Sequence, residues 1–102
     1  MVEDDVLKKL ETIPLFKGVT LEDRQELLKK MHRKAEDKLN TTHDLVYLAE
    51  SILNYFSDTG WATRVYSKAE KAKDIHAYGY ELAKSLADKL GDRKWARRIR
   101  QL

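Results

Sequence analysis

The sequence has no cysteine, one proline, four glycines and no long apolar run. Without cysteine it has no disulfide framework and no thiolate chemistry, which favours a reducing compartment, so we expect a cytoplasmic protein. With so few helix breakers, helices can continue uninterrupted over many residues. No stretch approaches the about 20 apolar residues that span a bilayer, and the acidic start MVEDDVLKKLE is unlike a signal peptide, so we expect no membrane partner.

What is present is dominated by helix-forming residues. The chain of 102 residues is 42% hydrophobic, which is enough for a modest core, and 36% charged. This composition predicts a single all-α domain over residues 1–102. The formal net charge is +3, and the basic excess lies in the last third of the chain, where it can attract acidic partners.

An ungapped internal match links residues 48–68 with residues 82–102. The segments LAESILNYFSDTGWATRVYSK and LAKSLADKLGDRKWARRIRQL share seven identical positions out of 21, including Trp-Ala pairs that begin at Trp61 and Trp95. The triplet KAE recurs at the same interval, once ending at Glu36 and once at Glu70. A period of about 34 residues is typical of stacked helix pairs. The sequence therefore predicts three antiparallel helix pairs, near residues 1–38 (divergent), 39–73 and 74–102.

Apolar residues within each unit recur at three- and four-residue steps, so they share one helix face. In the first helix of the middle unit this stripe consists of Leu45, Leu48, Ala49, Ile52 and Phe56. Thr41 or Thr42 can cap that helix, and Asp58 and Asp92 can cap the helices that contain the tryptophans. The pattern predicts that the Trp-Ala pairs join helices and that the arginines around them face water.

The N-terminal third predicts a short helix around Asp4–Thr12 and a turn at Pro14. Thr20 and Asp23 are placed as the capping box of a second helix that runs through Leu21 and beyond.

The unit resembles the tetratricopeptide repeat, a helix–turn–helix of about 34 residues. Ala62, Tyr66 and Ala69 follow the family's order of an alanine, an aromatic residue four positions on and a second alanine, and in the last unit Ala96 alone matches. The family's Leu-Gly in the first helix and its closing proline are absent. The resemblance implies a short right-handed α-solenoid in which the first helices line a concave face.

The segment LKKLETIPLFKGVTLEDRQELLKKM is similar to the helical lead-in of cyclic nucleotide-binding domains, where a Pro-Leu-Phe turn precedes a helix. The β-roll and the phosphate-binding segment of that family have no counterpart here. A Pro-Leu-Phe turn between helices is also simply a good hydrophobic corner, so we expect no nucleotide cofactor.

Residues with catalytic or metal-binding chemistry form no recognisable motif. His32 and Glu36 stand four residues apart, but transition metals need three or four ligands, and a solvated helix face is the favoured interpretation. No Gly-rich phosphate loop is present, and no histidine stands in the sequence context of a catalytic triad. We therefore expect a protein that is not an enzyme and that uses no cofactor and no metal.

The resemblance also implies which residues point into the concave groove. They combine tyrosines with amide, hydroxyl and charged groups, a composition that suits peptide recognition. The predicted partner-binding residues are Asp44, Tyr47, Ser51, Asn54, Tyr55, Tyr78, Glu81, Ser85 and Lys89, with Asp88 beside them. The alternative is that Tyr47 and Tyr55 only cover neighbouring helices. We expect a monomeric scaffold module that binds a peptide or helix of an unidentified protein.

A second hypothesis concerns the basic last helix. Five cations fall within eight residues: Arg93, Lys94, Arg97, Arg98 and Arg100. They can form a landing patch for phosphates or acidic peptides, or they can serve only as the solvated end of a helix. The alternative function is therefore binding of nucleic acid or another polyanion.

Overall fold

The computed structural model describes the backbone of residues 21–102 and the side chains of residues 23–102, and this part of the chain contains helices and no strand. For these residues the all-α prediction is confirmed. The helices are α1 (Leu21–Lys38), α2 (Thr42–Phe56), α3 (Thr59–Glu70), α4 (Ile75–Ser85), which continues into a π-helical turn (Leu86–Leu90), and α5 (Arg93–Arg100). The predicted helix around Asp4–Thr12, the Pro14 turn and the Thr20 cap lie outside the described residues.

The chain divides into two compact units, residues 1–31 and residues 32–102. In the first unit the described part is the beginning of α1, where Lys29 Nζ lies 3.6 Å from Glu26 Oε1 in an ion pair one turn apart. The second unit contains the remainder of α1 and helices α2 to α5, and all that follows concerns this unit.

Three helices begin at side-chain caps that the sequence predicted. Thr41 Oγ1 accepts a hydrogen bond from the backbone N–H of Asp44 at 3.2 Å, which identifies Thr41 rather than Thr42 as the cap of α2. Asp58 and Asp92 accept at 3.0 Å from the backbone N–H groups three residues on, which are those of the two tryptophans. Each cap satisfies an N–H that helix geometry leaves without a partner.

The apolar stripes of α2 to α5 meet in one core. Its buried members are Leu45, Val46, Leu48, Ala49, Ile52, Ala62, Val65, Tyr66, Ala69, Leu82, Ala83, Leu86, Ala96 and Ile99. Ala62 and Ala96 are both buried, so a larger side chain at either place would force the helices apart. Trp61 and Trp95 are half-buried and pack against this core, as predicted for residues that join helices.

Hydrogen bonds between helices recur at the period of the internal match. His32 Nε2 lies 2.7 Å from Ser51 Oγ, and Tyr66 OH lies 2.6 Å from Ser85 Oγ. Both bonds join the second helix of one predicted unit to the first helix of the next. Their positions agree with the alignment, in which Ser51 and Ser85 are identical residues.

Ion pairs recur at the same interval. Arg64 Nη2 donates to Glu36 Oε1 at 2.7 Å, and Arg98 Nη2 donates to Glu70 Oε1 at 2.9 Å. Glu36 is buried, and so is His32, one turn before it. The expectation of a solvated face for these two residues was wrong, because both side chains turn toward α2 and α3, where they find polar partners.

Candidate functional site

Two exposed tyrosines lie together on adjacent helices. Tyr47 on α2 is 58% exposed and Tyr78 on α4 is 39% exposed. Between them lies the imidazole of His43, whose ring centroid is 4.8 Å from that of Tyr47 and 5.1 Å from that of Tyr78. Two of the three predicted tyrosines, Tyr47 and Tyr78, are thus brought into one cluster, whereas the histidine at its centre was not assigned to the site from the sequence.

His43 joins the two helices through a carboxylate. Its Nδ1 lies 2.9 Å from Oε2 of Glu81 on α4. The hydrogen bond with Glu81 is the main cause that raises the pKa of His43, against the effect of desolvation, and the charges of Glu81, Asp44 and Asp74 add to it. We call His43, Tyr47, Tyr78 and Glu81 the aromatic–acid cluster.

A groove of about 380 Å³ opens beside this cluster. Four of the residues that line it were predicted for the partner-binding face. The other three are charged residues outside that predicted set. The lining residues are Tyr47, Glu50, Glu81, Lys84, Ser85, Asp88 and Lys89. The groove therefore carries carboxylates and ammonium groups along one open surface.

The serines of the predicted face are engaged within the fold. Ser85 is buried, donates a hydrogen bond to Glu50 Oε1 at 2.8 Å and receives one from Tyr66 OH. Burial raises the pKa of Tyr66 to about 12, so its hydroxyl keeps its proton. Ser85 lines the groove, as predicted for this face, but its hydroxyl is buried and already bonded to Glu50, and its role as a partner contact stays a prediction. Ser51 is likewise hydrogen-bonded to His32.

The remaining predicted residues of this face differ in position. Asp44 and Asn54 are exposed, and neither lines the groove. Tyr55 is half-buried, and its ring centroid lies 6.5 Å from those of His32 and Phe56. Tyr55 therefore lies beside residues of α1 and of its own helix, and its role as a partner contact stays a prediction.

The basic residues of α5 all reach the surface, as predicted. Arg93, Lys94, Arg97, Arg98 and Arg100 are exposed. Two of them also have neighbours: Arg98 pairs with Glu70 and its guanidinium lies 5.9 Å from the ring of Trp95. The guanidinium of Arg100 lies 6.0 Å from the ring of Tyr80.

Neither a metal site nor a membrane span is found within residues 21–102. No group of three or more histidine, aspartate and glutamate side chains in this region could hold a metal ion. His32 and Glu36, which stand four residues apart in the sequence, bond to protein groups. The described helices are too short or too polar to cross a bilayer.

Comparison with known proteins gives no relative: no protein-family model, no curated protein and no solved structure matches the chain.

Proposed function

We propose that the chain is a non-catalytic interaction module that binds a peptide or helix of a partner protein on the face of α2 and α4. The observation that carries this proposal is the exposure of Tyr47 and Tyr78 around His43, with Tyr47 lining an open groove. Tyrosine offers a large amphipathic contact area at low entropic cost, which is why it is enriched where proteins bind one another.

An architecture of helix pairs stacked in a short right-handed solenoid, like that of tetratricopeptide repeats, is part of the same proposal. It is supported by the hydrogen bonds and ion pairs that recur at the period of the internal match. In such a stack α2 and α4 are the first helices of successive units, and the face that they share is the concave one.

The groove is small, so a bound segment would contact it through a few side chains. Interfaces of this size are at the weak, transient end of protein–protein contacts, with dissociation constants of about a micromolar. A partner would gain affinity by contacting neighbouring surfaces as well.

Affinity capture followed by mass spectrometry tests this function. We expect the double substitution Tyr47→Ala with Tyr78→Ala to lose the partners that the natural sequence captures, because both exposed rings are removed. Tyr80→Ala is the matched control, since Tyr80 is 73% exposed on the same helix but contacts Arg100 rather than the cluster. Retained capture by a folded double variant, or equal loss in the Tyr80 control, would contradict the proposal.

Binding of a polyanion through α5 is the second candidate. The observation in its favour is that five cations of one eight-residue helix are all exposed. Contacts with phosphates release counterions, so this function requires an affinity that falls steeply with salt.

A further inference from the structure

The surface around the aromatic–acid cluster is acidic, although the chain as a whole carries a net charge of +3. The carboxylates of Asp44, Asp74 and Glu81 all act on His43. Asp74 accepts a hydrogen bond from the backbone N–H of Thr42 at 2.6 Å. Desolvation alone would raise the pKa of Asp74, but the hydrogen bonds that its carboxylate accepts together outweigh this effect and lower the pKa, so Asp74 stays ionised. Even a protonated His43 leaves this surface with an excess of negative charge.

The tyrosine rings add a second attraction for cations. An ammonium or guanidinium group gains energy over the face of an exposed aromatic ring, and the gain is larger where a carboxylate lies within reach. Glu81 already accepts from His43, but a carboxylate offers about four acceptor positions and can bind a second donor. Tyr47 and Glu81 also line the groove, so a chain lying in it would pass both groups.

We propose that the aromatic–acid cluster takes an arginine or lysine side chain from a basic segment of the partner, held over the exposed ring of Tyr47 and against the carboxylate of Glu81. This inference rests on the proposed function and gives the chemistry of its partner. We infer a cationic ligand because the charged groups that act on His43, at the centre of the cluster, are carboxylates. The cations Lys84 and Lys89 line the groove further along the chain. Those two lysines would pair with acidic groups of the same segment.

His43 makes this recognition dependent on pH. The groups that face it are Asp44 and Tyr47 on α2, and Asp74, Tyr78 and Glu81 at the start and along the length of α4. When protonated, His43 offsets the charge of Glu81 and repels an incoming cation. When neutral, it still donates its Nδ1–H to Glu81 but no longer offsets the negative charge, so the cluster attracts a cation more strongly. Binding should therefore strengthen as pH rises through the raised pKa of His43, and by linkage a bound cation should lower that pKa.

The probe is a blocked tri-arginine peptide, compared with tri-lysine and tri-glutamate peptides by ¹H–¹⁵N NMR at low salt. We expect tri-arginine and tri-lysine to shift the signals of Tyr47, Tyr78 and Glu81, and tri-glutamate to leave them unchanged. The affinity should be several-fold higher at about pH 8 than at about pH 5.5, on either side of the ordinary histidine range. Tri-glutamate shifts at this cluster, or tri-arginine shifts elsewhere only, would overturn the proposal.

Substitutions sharpen the test. Glu81→Gln should weaken tri-arginine binding roughly tenfold, since a charge-assisted hydrogen bond is lost, while Tyr47→Ala should weaken it roughly threefold. Asp37→Asn is the control, because Asp37 is an exposed carboxylate on α1. Titration of the His43 ring protons in the unsubstituted chain should give a lower pKa with tri-arginine than without it. Equal affinity for Glu81→Gln, or an unchanged His43 titration, would reject the cation.

The two proposals can fail separately. A captured partner that needs Tyr47 and Tyr78 but binds the Glu81→Gln chain equally well would leave the interaction module standing and remove the cation. Capture that survives loss of both tyrosines would remove the module from this face. In that case, tri-arginine shifts at Glu81 would describe only the chemistry of the surface and would not support a basic partner segment.

Discussion

At the scale of single residues, the Glu36 carboxylate binds three side chains of α3. Glu36 is buried, and its carboxylate receives hydrogen bonds from Trp61 Nε1 at 2.9 Å and from Arg64 Nη2 at 2.7 Å. It also forms an ion pair with Lys68, whose Nζ lies 2.8 Å from Glu36 Oε2. The hydrogen bond from Arg64 contributes most to lowering the pKa of Glu36 to about 2, with help from Lys68 and Trp61 and against the opposite effect of burial. One carboxylate thus ties α1 to α3.

Replacing Glu36 by glutamine should lower the free energy of unfolding at neutral pH by about 2–3 kcal/mol. The folded-state pKa lies below the ordinary value, so this contribution is complete above pH 4.5 and is lost as pH falls toward 2. The difference between Glu36→Gln and the natural chain should accordingly shrink over that window. Urea unfolding followed by circular dichroism at a series of pH values measures it.

Asp37→Asn provides the comparison for this pH series, because Asp37 is the exposed neighbour of Glu36. An exposed carboxylate contributes little, so we expect a change within about 0.5 kcal/mol at every pH. If Glu36→Gln behaved like this control at neutral pH, the assignment of Glu36 as the tie between α1 and α3 would be wrong.

At the scale of helices, α2 and the π-helical turn after α4 both end at a residue in the left-handed backbone conformation. The residue is a serine in one case and a glycine in the other. Ser57 closes α2 with φ of 50°, and Gly91 follows the π-helical turn Leu86–Leu90 with φ of 78°. The two residues occupy the same place in the internal alignment, and both adopt the left-handed conformation that ends a helix. Glycine adopts it without strain, whereas serine carries a Cβ that makes it unfavourable.

Ser57→Gly should therefore stabilise the fold by about 0.5–1 kcal/mol, and Gly91→Ala should destabilise it by about 1 kcal/mol. A Cβ at Gly91 would meet no atom within 4 Å, so the second change tests backbone strain without a steric clash. Thermal and urea unfolding of the two single variants gives both values. Shifts of the same sign would show that the left-handed conformation is not what sets the stability of these positions.

At the scale of the whole molecule, the sequence predicted the features that depend only on residues close together in the chain, such as helix caps and apolar stripes. The cap at Asp58 needs only an aspartate at the start of a helix, and the stripes need only the helical period of about 3.6 residues. His43 was missed as a site residue because its partner Glu81 is 38 residues away. Its role depends on which helices lie side by side, which periodicity does not state.

The buried position of Glu36 was missed for the same reason, although a signal for it existed. The recurring KAE triplet ends at Glu36 and again at Glu70, and Arg64 and Arg98 are identical residues in the internal match. Two pairs of opposite charge that recur at one interval indicate a repeated contact. The structure contains both contacts, at 2.7 Å and 2.9 Å.

Charge over the whole chain also separates the two candidate functions. A polyanion that binds α5 must neutralise its exposed cations, and each phosphate contact then adds about one unit to the slope of log affinity against log salt. The net charge of +3 and the acidic surface around His43 oppose extended contact with nucleic acid. We therefore expect no binding to random single- or double-stranded DNA tighter than about 10⁻⁵ M at physiological salt.

Titration of a labelled oligonucleotide at two salt concentrations checks this expectation, and variants of α5 make it specific. Lys94→Ala with Arg97→Ala should reduce any salt slope by about two phosphate contacts, since both side chains are exposed. Arg98→Ala should reduce it less, because Arg98 already pairs with Glu70 at 2.9 Å. Submicromolar, salt-sensitive binding that these two substitutions weaken would make α5 the functional surface in place of the face of α2 and α4.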